Sequence, residues 1–476
     1  QNFIDQGFIY SLEPFVEKEL ERNPDFLDEL GTPEFLWPVV TRDGDRYALI
    51  WYYYVRSLAY RKDLFADAGI VPPEPPKTWD ELYKVAQRLT YPNKEVPLAT
   101  HIKGQWGLRL MWGPYAGWLF TDFVWQAGGD MVRQHKTCPD CGTLNKAKKE
   151  VELVTCSNCG ADLSEIDPDW VCTYAEQPGV EALRFYKRCR WSKWVRCSEC
   201  NEPNDLPAVV CHECGEPNPV TGEAKPKTLE CRVCGTSLQV PDAKRDFACR
   251  KCGSNLDDEE IFTGVLETQE HWTKGFYEGN VAMIPVTGIG RWVRKMESKG
   301  IPRKNIGFAP WPAGPQGYAC FVGGAAYGIN RNVKDPAVMD AAWRLIKFLC
   351  SEESRRIETR VMVENGYAMY CDPRNLKTFG YDEYYDEFPQ ELIDAYEQVE
   401  EYGRVEPFVP AFQMISAVQL AEPVDSVLKL ADGYAVNPEE ILKANQAYSN
   451  ESVMKHIDPA VQKKRRMITW PLFILA

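Results

Sequence analysis

Apolar positions along the chain follow two patterns, stripes at helical spacing and short unbroken runs. Leu82, Val85, Ala86 and Leu89 form one stripe, opened by the capping box of Thr78 and Glu81. Ala182, Phe185, Tyr186 and Cys189 repeat the spacing after Pro178-Gly179. Ala342, Leu345, Ile346 and Leu349 form a third stripe behind Asp335-Pro336. Ile441, Ala444 and Tyr448 form a fourth, behind Asn437 with Pro438 at the first helical position and Glu440 at the third. The unbroken runs, at 47–51, 57–60, 281–284 and 326–329, have the length of strands. Strands alternating with helices predict an α/β architecture with largely buried sheets.

The middle of the chain breaks this pattern with six copies of Cys-x-x-Cys: Cys138/Cys141, Cys156/Cys159, Cys197/Cys200, Cys211/Cys214, Cys231/Cys234 and Cys249/Cys252. Taken two by two they make three four-thiolate sets, with 14, 10 and 14 residues between the pairs of a set. That spacing lets two tight turns face each other across a short hairpin and close a tetrahedral shell, as in rubredoxin-like zinc ribbons. Three structural zinc ions are the expectation. Disulfides and iron are the alternatives. Each ribbon is too short to bury a core, so the metal must supply most of its folding free energy, on the order of 10 kcal/mol. The ribbons are therefore inserts: ribbon 1 at 133–167, ribbons 2 and 3 at 196–258. His135 and His212 lie in or beside them as substitute ligands the cysteine count does not need. Cys172, Cys189, Cys320, Cys350 and Cys371 read as small buried apolar residues.

With 476 residues, 44% of them apolar, and a net charge of −14, the remainder suits two or three globular lobes. The longer insert carries 8 basic against 11 acidic residues, which argues against a phosphate-gripping surface and so against nucleic acid. Catalysis finds no footing. The five His show no HExxH spacing, there is no Gly-x-Ser-x-Gly elbow or P-loop, and Glu352-Glu353 suits a solvated helix face better than a glycosidase dyad. At the end, Lys463, Lys464, Arg465 and Arg466 precede an apolar run, so the tail at 456–476 reads either as the start of a membrane segment or as an ordinary tail.

Eight stretches in order resemble the extracellular solute-binding proteins of ABC importers, in the sugar-binding family 1. They are 43–49, 58–70 (through Tyr60-Arg61-Lys62-Asp63-Leu64-Phe65), 76–82, Trp125-Gln126-Ala127-Gly128-Gly129, 179–186, 276–283, 323–329 and 343–349. The resemblance implies a two-lobed periplasmic-binding-protein-like fold of type II, closing about a hinge. On it, 1–62 is part of the first lobe, and 63–132, 168–195 and 259–284 are parts of the second. Residues 285–455 return through the first lobe into C-terminal helices. It also implies that the first elements of the first lobe, and a signal region, precede Gln1. The implied function is capture of a carbohydrate or similar polyol outside the cytoplasm, at the periplasm or cell surface, for delivery to an ABC importer permease. A membrane anchor is compatible with it. A zinc-ribbon scaffold for a protein partner, built on a degenerate solute-binding fold, is the rival reading.

Sugars are held by aromatic faces and a few hydrogen bonds. The chain is 12% aromatic with 15 Trp. Trp51, Tyr52 and Tyr54 fall where the resemblance places ligand-facing residues of the first lobe. Trp112 and Trp118 approach from the second, and Trp292 follows the Gly288–Gly290 crossing. Gly323 and Gly324, with Tyr327 beyond them, let backbone come close to a ligand. Arg374 reads either as a ligand contact or as one half of a salt bridge, and the salt bridge is the expectation.

Overall fold

A computed structural model describes residues 4, 7–91, 96, 104–113, 116–148, 153–166, 168–189, 194–196, 203–205, 208–210, 212, 217–219, 227–231, 236–240, 252, 274–407, 409, 412–428 and 436–454. The elements that position the site are, in chain order, α1 (Glu13–Arg22), β1 (Leu49–Arg61), α2 (Trp79–Arg88), α3 (Ala116–Gln126), β2 (Val132–Thr137), β3 (Leu144–Lys146), β4 (Asp169–Cys172) and α4 (Gln177–Cys189). They continue with β5 (Met283–Thr287), α5 (Ile289–Ser298), β6 (Ile306–Pro310), β7 (Cys320–Tyr327), α6 (Pro336–Leu349), β8 (Gly403–Arg404), α7 (Ala421–Leu428) and α8 (Pro438–Tyr448).

The expected helix starts carry real caps. Thr78 Oγ1 accepts from the Glu81 amide at 3.2 Å, while the Glu81 carboxylate reaches one residue further back than a capping box requires, to the Lys77 amide at 2.8 Å. Asp335 accepts from the Ala337 amide at 2.8 Å, and Asn437 from the Glu439 amide at 3.0 Å. The α4 stripe is buried throughout. The stripe on α6 is turned from its expected position: Trp343 and Ile346 are the buried residues, and Leu345 is 57% exposed. Trp343 wins because its ring packs on Phe15 and Phe26 around α1.

Two runs expected as separate strands, 47–51 and 57–60, are one strand of 13 residues. Tyr52, Tyr53, Tyr54 and Val55 between them are aromatic or β-branched, which suits an extended pleat. What holds so long a strand is a change of partner along it. From Leu49 to Val55, β1 pairs antiparallel with β7. From Arg56 to Arg61 it pairs antiparallel with β5 and β6. The two halves lie in different cores. Leu49 joins Leu12, Val16, Phe26 and Trp343 in the first lobe. Leu58 and Tyr60 join the largest cluster, built on Trp79, Phe123 and Tyr186, in the second. β1 is thus a strand shared by two lobes, and β7 is the other crossing, with β8 parallel at its start. The C-terminal helices add Val424, Val427, Leu428 and Leu442 to the second-lobe cluster.

Helix α3 runs through this cluster buried at every position except Trp118. It can do so because Gly117 lets the turn at Ile415–Gln419 come close: a Cβ on Gly117 would stand 2.0 Å from the Ser416 carbonyl oxygen. All five cysteines outside the Cys-x-x-Cys pairs are buried free thiols.

Candidate functional site

Two chemically distinct sites emerge, a cleft and a thiolate cluster. The cleft has a volume of about 870 Å³ and lies where β1 and β7 cross between the lobes. Strand periodicity brings one set of side chains into it. Ala48, Ile50, Tyr52, Tyr54 and Arg56, every second residue, line it. Trp51 stands on the other face, against Tyr327 at 5.3 Å between ring centroids. Tyr53 also lines the cleft, and its hydroxyl accepts from Arg374 at 3.2 Å. Arg374 in turn grips Asp372 at 2.6 Å.

The opposite wall carries Trp118, the one residue of α3 that is not buried. Gly323 and Gly324 line the cleft from β7, and the space their missing side chains leave is already occupied. A Cβ on Gly323 would meet the Tyr54 ring at 2.7 Å, and one on Gly324 the Tyr52 carbonyl oxygen at 2.4 Å. Gly323 therefore makes room for the Tyr54 ring, and Gly324 for the β1 backbone at Tyr52 and Tyr53. Trp112 packs on the second-lobe core beneath the Arg109 guanidinium, 5.6 Å away, and does not line the cleft. Nor does Trp292, which is 7% exposed in a separate core with Phe276, Val286 and Met296 and stacks on Tyr277. Of the nine residues expected at the ligand, the structure brings together Tyr52, Tyr54, Trp118, Gly323 and Gly324, and leaves Trp51, Trp112, Trp292 and Tyr327 outside the lining.

Arg56, Phe321 and Glu406 line the cleft without having been expected there. Arg56 forms a buried ion pair with Asp122 of α3 and donates to the Trp118 carbonyl oxygen at 3.3 Å. The Phe321 amide donates to the second Asp122 oxygen at 2.9 Å. One fully buried carboxylate thus joins α3 to both crossing strands. Burial raises the Asp122 carboxyl to about 6 against the opposing pull of Arg56. An arginine two residues beyond the aromatic run, on the same strand face as Tyr52 and Tyr54, was the available signal for Arg56. None pointed to Glu406.

The thiolate cluster lies in ribbon 1. β2 leaves the second lobe, pairs with β4 at its base and with β3 at its tip, so lobe and ribbon share one strand. The two knuckles are copies of each other. The Cys138 amide donates to the Thr143 carbonyl oxygen and the Gly142 amide to Cys138, and Cys156 pairs in the same way with Ala161 and Gly160. Gly142 and Gly160 take φ of +70° and +74°, a conformation that favours glycine. The four sulfurs lie within 4.8 Å of one another, with Cys138–Cys159 at 3.6 Å and Cys141–Cys156 at 3.7 Å. A tetrahedral zinc with bonds of about 2.3 Å sets its sulfurs about 3.8 Å apart, whereas a disulfide needs about 2.05 Å. The set could hold a metal ion. Contacts with the Thr143 hydroxyl and amide lower the Cys141 thiol to about 6. Asn145 donates to Cys156 Sγ at 3.5 Å and accepts from the Ser157 amide at 2.8 Å, steadying one knuckle from outside the cluster.

The second and third expected sets are not assembled among the described residues. Cys197, Cys200, Cys211, Cys214, Cys234 and Cys249 lie outside them, which leaves Cys231 and Cys252 of the third set. Cys231 is buried and repeats the knuckle pattern, its amide donating to the Thr236 carbonyl oxygen at 2.7 Å. Cys252 is the expected last ligand of that set, together with Cys234 and Cys249, which lie outside the described residues. It is an exposed thiol, and no group of three or more metal-binding side chains among the described residues includes it. Exposure alone does not separate Cys252 from a ligand, since Cys141 and Cys159, the second members of their knuckles, are exposed in ribbon 1 as well. The tail at 456–476 also lies outside the described residues, and no helix among them is long and apolar enough to cross a membrane.

The two-lobed fold with a cleft at paired crossing strands is that of periplasmic binding proteins. A family model described as bacterial extracellular solute-binding protein matches residues 1–153, and a second of the same description matches 242–359. Together the two models span more than half of the chain, which belongs with the bacterial extracellular solute-binding proteins; such proteins are not enzymes. Among solved structures it is similar to the sugar-binding protein MalE from Xanthomonas citri, with TM-score 0.53 and 15% identity over 98% of this chain and 82% of that one. It is also similar to an ABC substrate-binding protein from Listeria monocytogenes in complex with cycloalternan, with TM-score 0.53 and 15% identity over 95% and 81%. A solute-binding protein from Thermotoga lettingae bound with α-D-tagatose matches with TM-score 0.52 and 18% identity over 94% and 81%. No curated protein sequence matches the chain.

Proposed function

We propose that the protein captures a carbohydrate or similar polyol in the cleft and delivers it to an ABC importer permease. The observation that carries this is the pairing of Tyr52 and Tyr54 on the shared strand with Trp118 on the facing helix, around about 870 Å³ of space. Rings on facing walls suit the C–H faces of a sugar, and a hinge between them would close on it. A scaffold reading would sit better with a filled or polar cleft, and this one is open and largely aromatic and aliphatic. Solved structures of the same fold with tagatose and cycloalternan support the ligand class. Such a role places the protein outside the cytoplasm, with or without a membrane anchor.

The ribbons are proposed to hold three structural zinc ions, at Cys138/Cys141/Cys156/Cys159, Cys197/Cys200/Cys211/Cys214 and Cys231/Cys234/Cys249/Cys252. The tetrahedral spacing of the first set supports zinc over disulfides, and the other two rest on the repeat of its spacing along the chain. A protein partner at the ribbons is an additional proposal, supported by the attachment of ribbon 1 through β2.

Trp118→Ala is expected to weaken binding of the best sugar in a thermal-shift panel by about 1–3 kcal/mol. The melting point of the unliganded protein should change little, because the ring is partly exposed. A variant that melts far below the parent, with affinity per folded molecule intact, would move the site elsewhere.

A further inference from the structure

We propose that the ligand is a polyol bearing one cationic nitrogen, held by the Glu406 carboxylate against the tyrosine faces of the cleft. This rests on the cleft being the solute site. Among the described residues lining it, only Arg56 and Glu406 are charged. Arg56 is committed: Asp122, the Trp118 carbonyl oxygen and the Met111 sulfur surround its guanidinium. Its opposite face lies over the Phe321 ring at 5.5 Å. Asp122, wholly buried, is committed as well, between Arg56 and the Phe321 amide.

Glu406 is left over. It follows β8, two residues beyond the strand that pairs with Cys320 and Phe321, and so sits beside the Phe321 end of the cleft. No hydrogen bond or ion pair to the described residues satisfies its carboxylate, and burial raises its carboxyl to about 7 against the weaker opposing pull of positive charge that includes Arg56. Among the described residues one guanidinium faces two carboxylates, so that the ionised form of Glu406 meets no counter-charge of its own there. Closing the lobes over it would strip water from that charge, which is costly unless an opposite charge arrives. An ammonium group supplies it, and the electron-rich faces of Tyr52 and Tyr54 favour the same cation. A neutral polyol donates a hydroxyl to Glu406 but leaves the charge in place.

The test uses matched probes on the full chain by isothermal titration: N-methylglucamine against sorbitol, and choline against 3,3-dimethylbutan-1-ol. Glucose and maltose serve as neutral sugars. The cationic member of at least one pair should bind about tenfold tighter or more than its neutral partner, and less tightly as salt rises. In Glu406→Gln that ratio should fall to near one, and in Glu406→Asp, which keeps the charge, it should survive in part. A neutral member that binds as tightly as the cation, or a preference that survives Glu406→Gln, overturns the inference. If neutral sugars bind and no cation is preferred, the cation inference falls and the polyol reading stands. If no probe binds, both fall.

Discussion

In a Cys156→Ser variant, ribbon 1 is expected to lose its metal and its fold together while the two lobes keep theirs. The ribbon has almost nothing else to hold it. Its buried cluster consists of Cys138, Cys156 and Leu163, with Ala161 and Ile166 against it. At about 25 cal/mol per Å², so few side chains contribute only a few kcal/mol, against on the order of 10 kcal/mol from a structural zinc. Removing one of four thiolates opens the shell and takes most of that away. The lobes are insulated because their cores, around Phe123 and Trp343, share no residue with the ribbon cluster. Elemental analysis of protein purified without added metal should show three zinc ions per parent chain and one fewer in the variant. Hydrogen exchange should speed up across 138–147 and stay slow in α3. Equal metal content in parent and variant, or parent thiols oxidised in pairs, would remove this centre. A parent holding a single zinc, lost in the variant, would leave ribbon 1 as the metal centre and take both the second and the third sets out of the count.

Asp122→Ala is expected to destabilise the lobes themselves, by about 3–5 kcal/mol. The loss is not the strength of one ion pair. It is the cost of leaving the Arg56 guanidinium, 2% exposed, without a counter-charge between two packed strands and a helix. The Phe321 amide loses its acceptor at the same time. For lobes of this size the melting point should fall by roughly 6–20 °C. Replacing both members, Arg56→Met with Asp122→Leu, should recover much of it, because an apolar pair of similar volume carries no desolvation penalty. A single Asp122→Ala that melts with the parent would show that the pair is open to water. Because the same carboxylate joins α3 to both crossing strands, the single variant should also blur the placement of Trp118 and weaken ligand binding.

Much of this protein is written locally. Thr78, Asp335 and Asn437 mark helix starts because a cap is a bond between a side chain and an amide two or three residues away, and needs nothing distant. The knuckles of ribbon 1 are legible for the same reason, since Cys-x-x-Cys-Gly determines both the turn and the donor atoms within five residues. The family, too, is carried by short stretches in a given order.

What the tertiary structure decided depends on partners far along the chain. The 13-residue strand β1 is one element only because β7 and the β5–β6 pair take up its two halves, from more than 200 residues away. An aromatic run at 51–54 announces a site, but which rings face it follows from the pleat, and the pleat's inward face is set by where the lobes pack; Tyr52 and Tyr54 enter, and Trp51 does not. Trp292 reads like a ligand residue beside its glycines and is a core residue because Tyr277, Val286 and Met296 close over it. Leu345 and Trp343 compete for the inside of one helix, and the pocket left by Phe15 and Phe26 selects the larger ring. The charges are the least local of all. Asp122 neutralises Arg56 from a distant part of the sequence, and Glu406 is left alone in the cleft because no described side chain comes back to meet it. Spacing along the chain determines caps and knuckles, whereas burial and charge balance are properties of the packed whole.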